Sequence, residues 1–340
     1  MKALVIPETG PPEVLRVEDR PDPRPGAGQV RVQVKAAGIN FADLMARQGM
    51  YPDAPKLPAV VGYEFAGDVE SVGDGVDDFK PGQRVLGGCR FGGYAELVAT
   101  DAANVVPLPG DWSYEEGAAF PVNYMTAYAG LVRYGALHPG ERVLIHAAAG
   151  GVGIAATQIA RLKQAGEIYG TASPGKHDAI RGFGVDHPID YTSKDFAKEV
   201  RRIAGAKAPL DLIMDAIGGS SFRKGYGLLR AGGRLVAYGA SSVTPGEKRD
   251  VKAIAKMIAT TPVFHPMQMM PASKAVIGLN MLTLWDDKGS ADEFLEPLRE
   301  WMEDGSIRPV VAEAFPIADG AKAHRFMQER KNVGKVVLTM

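Results

Sequence analysis

Between Glu141 and Ile189 the chain carries the pattern that most restricts what it can build. Val143, Leu144 and Ile145 read as a short buried strand, and His146-Ala147-Ala148-Ala149-Gly150-Gly151-Val152-Gly153 follows as a glycine-rich turn. Ile154 to Lys163 is then patterned as a helix, with Ala155, Ile159 and Leu162 on one face. A strand, a tight turn and a helix in this order open a dinucleotide-binding unit. The backbone must come close to a pyrophosphate, and the helix N-terminus offers N–H groups and the positive end of a dipole. Glycine serves here because a Cβ would obstruct the turn and the approach. The spacing Ala147-x-x-Gly150-x-x-Gly153 is a variant of the three-glycine fingerprint. A second strand, Ile168 to Thr171, follows the loop at Ala165-Gly166, as a βαβ unit requires.

The end of that second strand selects between the two nicotinamide dinucleotides. A chain that prefers NAD places a carboxylate there to hold the ribose 2′-OH. Here the place is Ala172-Ser173, with Lys176 close behind, and Glu167 sits at the wrong end of the strand. A hydroxyl and an ammonium with no carboxylate favour a phosphate, so NADPH is the expected cofactor. Gly150, Gly151, Val152 and Gly153 would hold its pyrophosphate, and Ser173 and Lys176 its adenosine phosphate. A solvated loop lysine is the alternative for Lys176.

Charge and cysteine content remove other classes. The 39 basic residues are balanced by 40 acidic ones, which gives no electrostatic reason to bind nucleic acid or anionic lipid. Cys89 stands alone, so no intrachain disulfide forms, and a reducing compartment fits. The apolar run at the N-terminus is too short for a signal peptide. Val143 to Ala160 has no charged residue, but strand, turn and helix explain it better than a span. Ala275 to Trp285 is too short for a bilayer crossing of about 20 residues. The expectation is a cytoplasmic protein without an integral membrane segment.

The 340 residues allow two domains. Residues 1–124 read as β-rich: Ala3 to Ile6, Val14 to Val17, Val30 to Lys35, Phe65 to Val72, Arg84 to Leu86 and Tyr94 to Ala99 are strand patterns. Gly87-Gly88 and Gly92-Gly93 separate the last ones, and one helix lies between Asn40 and Gly49. Residues 125–284 alternate helix and strand, with Leu212 to Met214, Leu235 to Tyr238 and Ala275 to Leu282 as further strands. Small-residue loops after the first two would line a cofactor crevice at the carboxyl edge of a doubly wound parallel sheet. Residues 285–340 hold an amphipathic helix, Ala291 to Glu303, and a strand at Lys335 to Leu338 that returns to the first domain. The fold class is α/β.

Five strings resemble the medium-chain dehydrogenase/reductase superfamily across nearly the whole chain. They are Ala36-Ala37-Gly38-Ile39-Asn40-Phe41-Ala42-Asp43, Val61-Gly62-Tyr63-Glu64-Phe65-Ala66-Gly67, Pro81-Gly82-Gln83-Arg84-Val85, the Gly150 to Gly153 turn and Asn332-Val333-Gly334-Lys335. Within it the chain resembles the zinc-free quinone oxidoreductases, including zeta-crystallin. Asn40 to Gly49, Gly170-Thr171-Ala172-Ser173 and His187-Pro188-Ile189-Asp190-Tyr191 are similar to the vesicle amine transport protein branch. The resemblance implies a GroES-like catalytic domain, a Rossmann domain, and a homodimer joined through the edge strand near Val276 to Met281.

The departure from the superfamily's alcohol dehydrogenases concerns zinc. Their Cys ligand is replaced by Asn40, and their Gly-His-Glu by Gly62-Tyr63-Glu64. The six histidines show no ligand-like spacing. No metal is expected, and without a Lewis acid alcohol oxidation becomes a poor candidate. The expected activity is hydride transfer from NADPH to a quinone or an α,β-unsaturated carbonyl. The alternative is an NADPH-binding adaptor with little catalysis. By match to the family, Asn40, Tyr51 and Tyr63 would be catalytic. Thr126, Tyr191, Gly239, Leu279, Asn332 and Lys335 would join the cofactor site. Asp43 could serve only the first turn of its helix. The Met-rich stretch Thr261 to Met270 is expected either to wall an aromatic substrate or to pack in the core or a dimer.

Overall fold

The computed structural model describes residues 1–243, 246–247 and 249–340. They form two compact units: Met1–Met125 with Gly246–Arg249 and Leu282–Met340, and Thr126–Pro245 with Asp250–Met281. In chain order the strands begin with β1 (Lys2–Ile6), β2 (Arg16–Asp19), β3 (Gln29–Gly38) and β4 (Ala59–Val60). β5 (Glu64–Val72), β6 (Arg84–Gly88), β7 (Leu97–Asp101) and β8 (Val105–Pro107) follow. The second unit holds β9 (Arg142–Ile145), β10 (Glu167–Ala172), β11 (His187–Asp190), β12 (Leu210–Asp215), β13 (Leu229–Ala237) and β14 (Ala275–Gly278). β15 (Val311–Pro316) and β16 (Lys335–Thr339) return to the first.

The first unit is built on a sheet of order β15-β16-β3-β5-β6-β8, with β7 also pairing β3, beside a small sheet β2-β1-β4. Alternation decides which face of β3 turns inward. Val30, Val32 and Val34 are buried and pack with Phe65, Val69 and Val85, while Gln33 is exposed. Each such valine contributes about 1.5–3 kcal/mol by leaving water. β16 enters antiparallel to β3, with Val337 opposite Gly38 and Leu338 opposite Ala37.

The second unit is one parallel sheet of order β11-β10-β9-β12-β13-β14. The chain winds outward from β9 in one direction, then restarts at β12 and winds in the other. The topological switch point therefore lies between β9 and β12, where doubly wound sheets bind ligands. All six residues of β12 are buried, as expected for a strand covered on both faces.

Several local expectations shift. Gly87 and Gly88 belong to β6 rather than ending it. A Cβ at Gly87 would lie 2.5 Å from the Asn104 carbonyl oxygen, and one at Gly88 would strike the Trp285 ring, so these glycines mark close approach and not a turn. Val14 ends a short 3₁₀ turn, and the strand β2 starts only at Arg16. β7 begins at Leu97, three residues later than the pattern at Tyr94 implied. β14 stops at Gly278, and Met281 already opens a helix, Met281–Lys288. The run expected as one helix from Ala291 is two short helices, Asp292–Leu295 and Arg299–Glu303, joined by a 3₁₀ turn that contains Pro297. Proline lacks the N–H that an uninterrupted helix would need. Phe294, Leu295 and Leu298 are buried as expected, but Met302 takes the deeper place that Trp301 was expected to hold.

Candidate functional site

In the second unit, β9 delivers the chain into the turn, and the helix Gly151–Leu162 begins three residues earlier than its apolar pattern suggests. Gly150 is its N-cap and no side chain caps it, which leaves the first N–H groups facing the turn. A Cβ at Gly153 would sit 2.4 Å from the Ala147 carbonyl oxygen and 2.6 Å from Ala148 Cα, so only glycine fits. Ala147 takes a left-handed φ of 52°, held by a hydrogen bond from its N–H to Thr171 Oγ1 at 3.2 Å.

Ser173 and Lys176 lie immediately past β10, bracketing a 3₁₀ turn, Pro174–Lys176. His177 Nε2 stands 3.2 Å from the Ala172 carbonyl oxygen. The register of β10 and β11 places Asp190 opposite Ala172. Sequence spacing had not shown a carboxylate there. It already accepts three hydrogen bonds: Thr192 donates from N at 2.9 Å and from Oγ1 at 2.6 Å, and Ser193 Oγ donates to the other oxygen. These bonds, Ser193 first, draw its carboxyl down to about 2. Tyr191 follows and is 40% exposed.

The loops after β12 and β13 meet backbone to backbone. Tyr238 N donates to the Asp215 carbonyl oxygen at 3.0 Å and Ser241 N to that of Ala216 at 2.9 Å, with Gly239 between them. Leu279 N donates to the Ala237 carbonyl oxygen at 2.9 Å, and its side chain is buried. Thr126 is buried in the helix Pro121–Tyr128. The stretch Thr261 to Met270 is not core: Val263 is 87% exposed, and Met267 and Met270 are each 67% exposed.

In the first unit, Asn40 precedes the helix Phe41–Arg47, and its N–H donates to Asp43 Oδ2 at 2.8 Å. Asp43 does far more than serve that turn. It is fully buried, and it also accepts from Tyr94 Oη at 2.7 Å and from Gly62 N at 3.2 Å. Burial raises its carboxyl to about 6, against the pull of these bonds and of Lys335. Asn40 Nδ2 donates to Glu64 Oε1 at 2.8 Å, and its Oδ1 accepts from Lys335 Nζ at 2.5 Å. Glu64 Oε2 accepts from Val122 N at 2.7 Å, and Lys335 and Glu64 form a buried ion pair. Asn332 Nδ2 donates to the Gly334 carbonyl oxygen at 2.8 Å, inside the turn that delivers Lys335.

Tyr63 stands apart from this network. Its side chain is buried, its ring lies between Tyr51 and Phe91 at centroid distances of 6.4 and 5.2 Å, and its hydroxyl is set against that of Tyr51, with no other partner among the described residues. Burial, and then the charge of Asp43, push its phenol far above the ordinary range, and burial pushes Tyr51 to about 12. Both stay protonated and can only donate or accept as neutral phenols. Cys89 is buried, and burial raises its thiol, so it offers no thiolate.

Residues 26–110 match the alcohol dehydrogenase GroES-like domain, and residues 183–338 match a domain described as zinc-binding dehydrogenase. The chain is 39% identical over 340 residues to the human synaptic vesicle membrane protein VAT-1 homolog, covering 99% of this chain and 86% of that one. This chain is a medium-chain dehydrogenase/reductase. Its fold superimposes on the Escherichia coli quinone oxidoreductase solved with NADPH, at a TM-score of 0.85 and 28% identity over 100% of both chains. It does the same on the CurK enoyl reductase, at a TM-score of 0.86 and 28% identity over 100% and 99%. The GroES-like and Rossmann halves expected of this superfamily are both present.

The zinc in the name of the matching domain does not fit these residues. Among the described residues no three His, Cys, Asp or Glu side chains gather where they could hold a metal. Glu64 is engaged by the ammonium of Lys335 and is not left open for a cation. Among the described residues no helix is long and apolar enough to cross a membrane. Sequence reasoning missed Asp43 as a hub, and it gave no role to Glu64, Tyr94 or Asp190. The Val61 to Gly67 string held Glu64 and the His187 to Tyr191 string held Asp190, but neither string, nor the strand pattern at Tyr94, gave these residues a role.

Proposed function

We propose that this medium-chain dehydrogenase/reductase uses NADPH to reduce a quinone or an α,β-unsaturated carbonyl without zinc. The observation that carries this reading is a pair of neutral donors in the first unit, the Tyr63 hydroxyl, set against that of Tyr51, and the second N–H of the Asn40 amide. Glu64 and Lys335 take both ends of that amide and fix its plane. NADPH, when bound, supplies a hydride, two electrons and one hydrogen. Reduction of a quinone or enone then leaves negative charge on an oxygen, and two positioned neutral donors suit such an oxyanion. Tyr63 is too weak an acid here to give its proton up, so it holds a hydrogen bond and the balancing proton comes from water.

Gly150 to Gly153 would hold the pyrophosphate, and Ser173, Lys176 and Tyr191 the adenosine phosphate. The Asp190 carboxylate nearby is occupied by Thr192 and Ser193, which supports a phosphate in place of a ribose hydroxyl. Gly239 and Leu279 would touch the cofactor through backbone, and Thr126 through its hydroxyl. Lys335 holds Asn40, and Asn332 supports the turn that delivers Lys335. β14 is the outer strand of its sheet and is only half-buried, which supports pairing with a second copy.

The test is NADPH oxidation against an ortho-quinone, a para-quinone and an alkenal, with a primary alcohol and NADP⁺ as control. Turnover of a quinone or alkenal that prefers NADPH and withstands a chelator is expected. Tight NADPH binding with no turnover would instead make the protein an adaptor.

A further inference from the structure

His146 is buried at the carboxyl end of β9, between the ends of the two neighbouring strands, and nothing in the proposed reaction uses it. Its Nδ1 lies 3.1 Å from Thr171 Oγ1, at the end of β10. Its Nε2 lies 3.5 Å from Ser221 Oγ and 3.8 Å from Asp215 Oδ2, at and beyond the end of β12. The ring edge rests on Phe196, with centroids 4.6 Å apart.

The proton positions follow from the partners. Ser221 Oγ donates to Asp215 Oδ2 at 2.7 Å, so toward His146 it has only a lone pair to offer. Nε2 must therefore carry the hydrogen. Burial lowers the imidazole below its ordinary range, against the charge of Asp215, so the ring holds one proton and Nδ1 is bare. Thr171 then donates to Nδ1 while it accepts the Ala147 N–H at 3.2 Å. At the other end, Asp215 Oδ1 accepts from Ile217 N at 2.7 Å and from Gly218 N at 3.3 Å.

We infer that His146 is a positioning residue, and that a one-way hydrogen-bond chain through it couples the glycine turn to the loop at residues 217–218 across the switch point. The chain runs Ala147 N–H, Thr171 O–H, His146, Ser221 O–H, Asp215. Donors in such a chain polarise one another toward the carboxylate that terminates it. It fixes the left-handed Ala147 on one side and the Asp215 loop on the other, so the two walls of the crevice are set together. Its bearing on NADPH rests on the function proposed above, but the coupling itself belongs to the protein without cofactor.

The test uses Thr171→Val and Ser221→Ala, two small changes in groups that do not touch each other. In the cofactor-free protein, Ser221→Ala should speed amide exchange at Ala147 by at least about three-fold, and Thr171→Val should do the same at Ile217 and Gly218. In binding, the two variants should be non-additive: the double variant's NADPH Kd should fall short of the product of the single losses by at least about three-fold. His146→Gln, which keeps a donor and an acceptor, should retain more of both effects than His146→Leu. Unchanged exchange at the far end, or strict additivity, overturns the chain. Failure of the unmodified protein to bind NADPH would overturn the cofactor assignment, and the exchange data would still decide the coupling.

Discussion

Lys335 and Glu64 are paired with side chains only 4% and 0% exposed, and each is also hydrogen-bonded to Asn40. Breaking one half of a buried pair strands the other charge, at about 3–5 kcal/mol. Lys335→Met should therefore lower the urea midpoint strongly, and adding Glu64→Gln should recover much of the loss. Because the ammonium faces Asn40, Lys335→Met should lower kcat more than it raises the Kd for NADPH. A selective loss of NADPH affinity would place Lys335 on the cofactor instead.

Tyr63→Phe separates stability from catalysis. The hydroxyl it removes is buried against that of Tyr51 and has no other partner among the described residues, so unfolding by urea should change by no more than about 1 kcal/mol. If that hydroxyl meets the developing oxyanion, kcat should fall by about 10²–10³. Full activity in the variant would leave Asn40 as the only donor of the pair.

Lys176→Glu puts a carboxylate where the adenosine phosphate is proposed to bind. The KM for NADPH should rise strongly and that for NADH should change little, both read from initial rates. Equal losses with the two cofactors would remove the phosphate assignment.

Two buried groups tilt stability with pH in opposite senses. His324 is buried beside Arg47 with both ring nitrogens lacking hydrogen-bond partners, and burial lowers it from 6.5 to about 3. Between those values the unfolded chain binds a proton that the folded one refuses, so stability is lost as pH falls through this window. Asp43 is raised from 3.8 to about 6, so in that window the folded chain holds the extra proton. Its contribution is complete below 3.8 and is lost as pH rises through 6. Urea midpoints from pH 4 to 7 should show a shallower acid loss in His324→Leu and a steeper one in Asp43→Asn.

The parts of the fold set by neighbours in sequence were legible. The strand, turn and helix around Gly153 follow from steric needs that act within a few residues, and the alternation of Val30, Val32 and Val34 names its own buried face. Gly87 and Gly88 misled because glycine answers to two demands, a turn or a close neighbour, and only the positions of Asn104 and Trp285 tell which. The Asp43–Tyr94 bond and the Asp190 register opposite Ala172 depend on which strands lie side by side. Neither has a local signature. The Tyr63 candidate was visible by resemblance, but the packing of its ring between Tyr51 and Phe91 was not.

The placement of β16 between β15 and β3 has a consequence during synthesis. The ribosome delivers residues 126–281 while the sheet of the first unit still lacks this strand, and domains fold as they emerge. The parallel sheet can close early, whereas β3 waits with an open margin. Until Lys335 arrives, Glu64 has no ammonium to join and only Asn40 and Val122 to donate to it. The first unit is thus locked by a residue made after the whole parallel sheet, and a chain stalled before Lys335 would hold a finished second unit and an unfinished Asn40–Glu64 network.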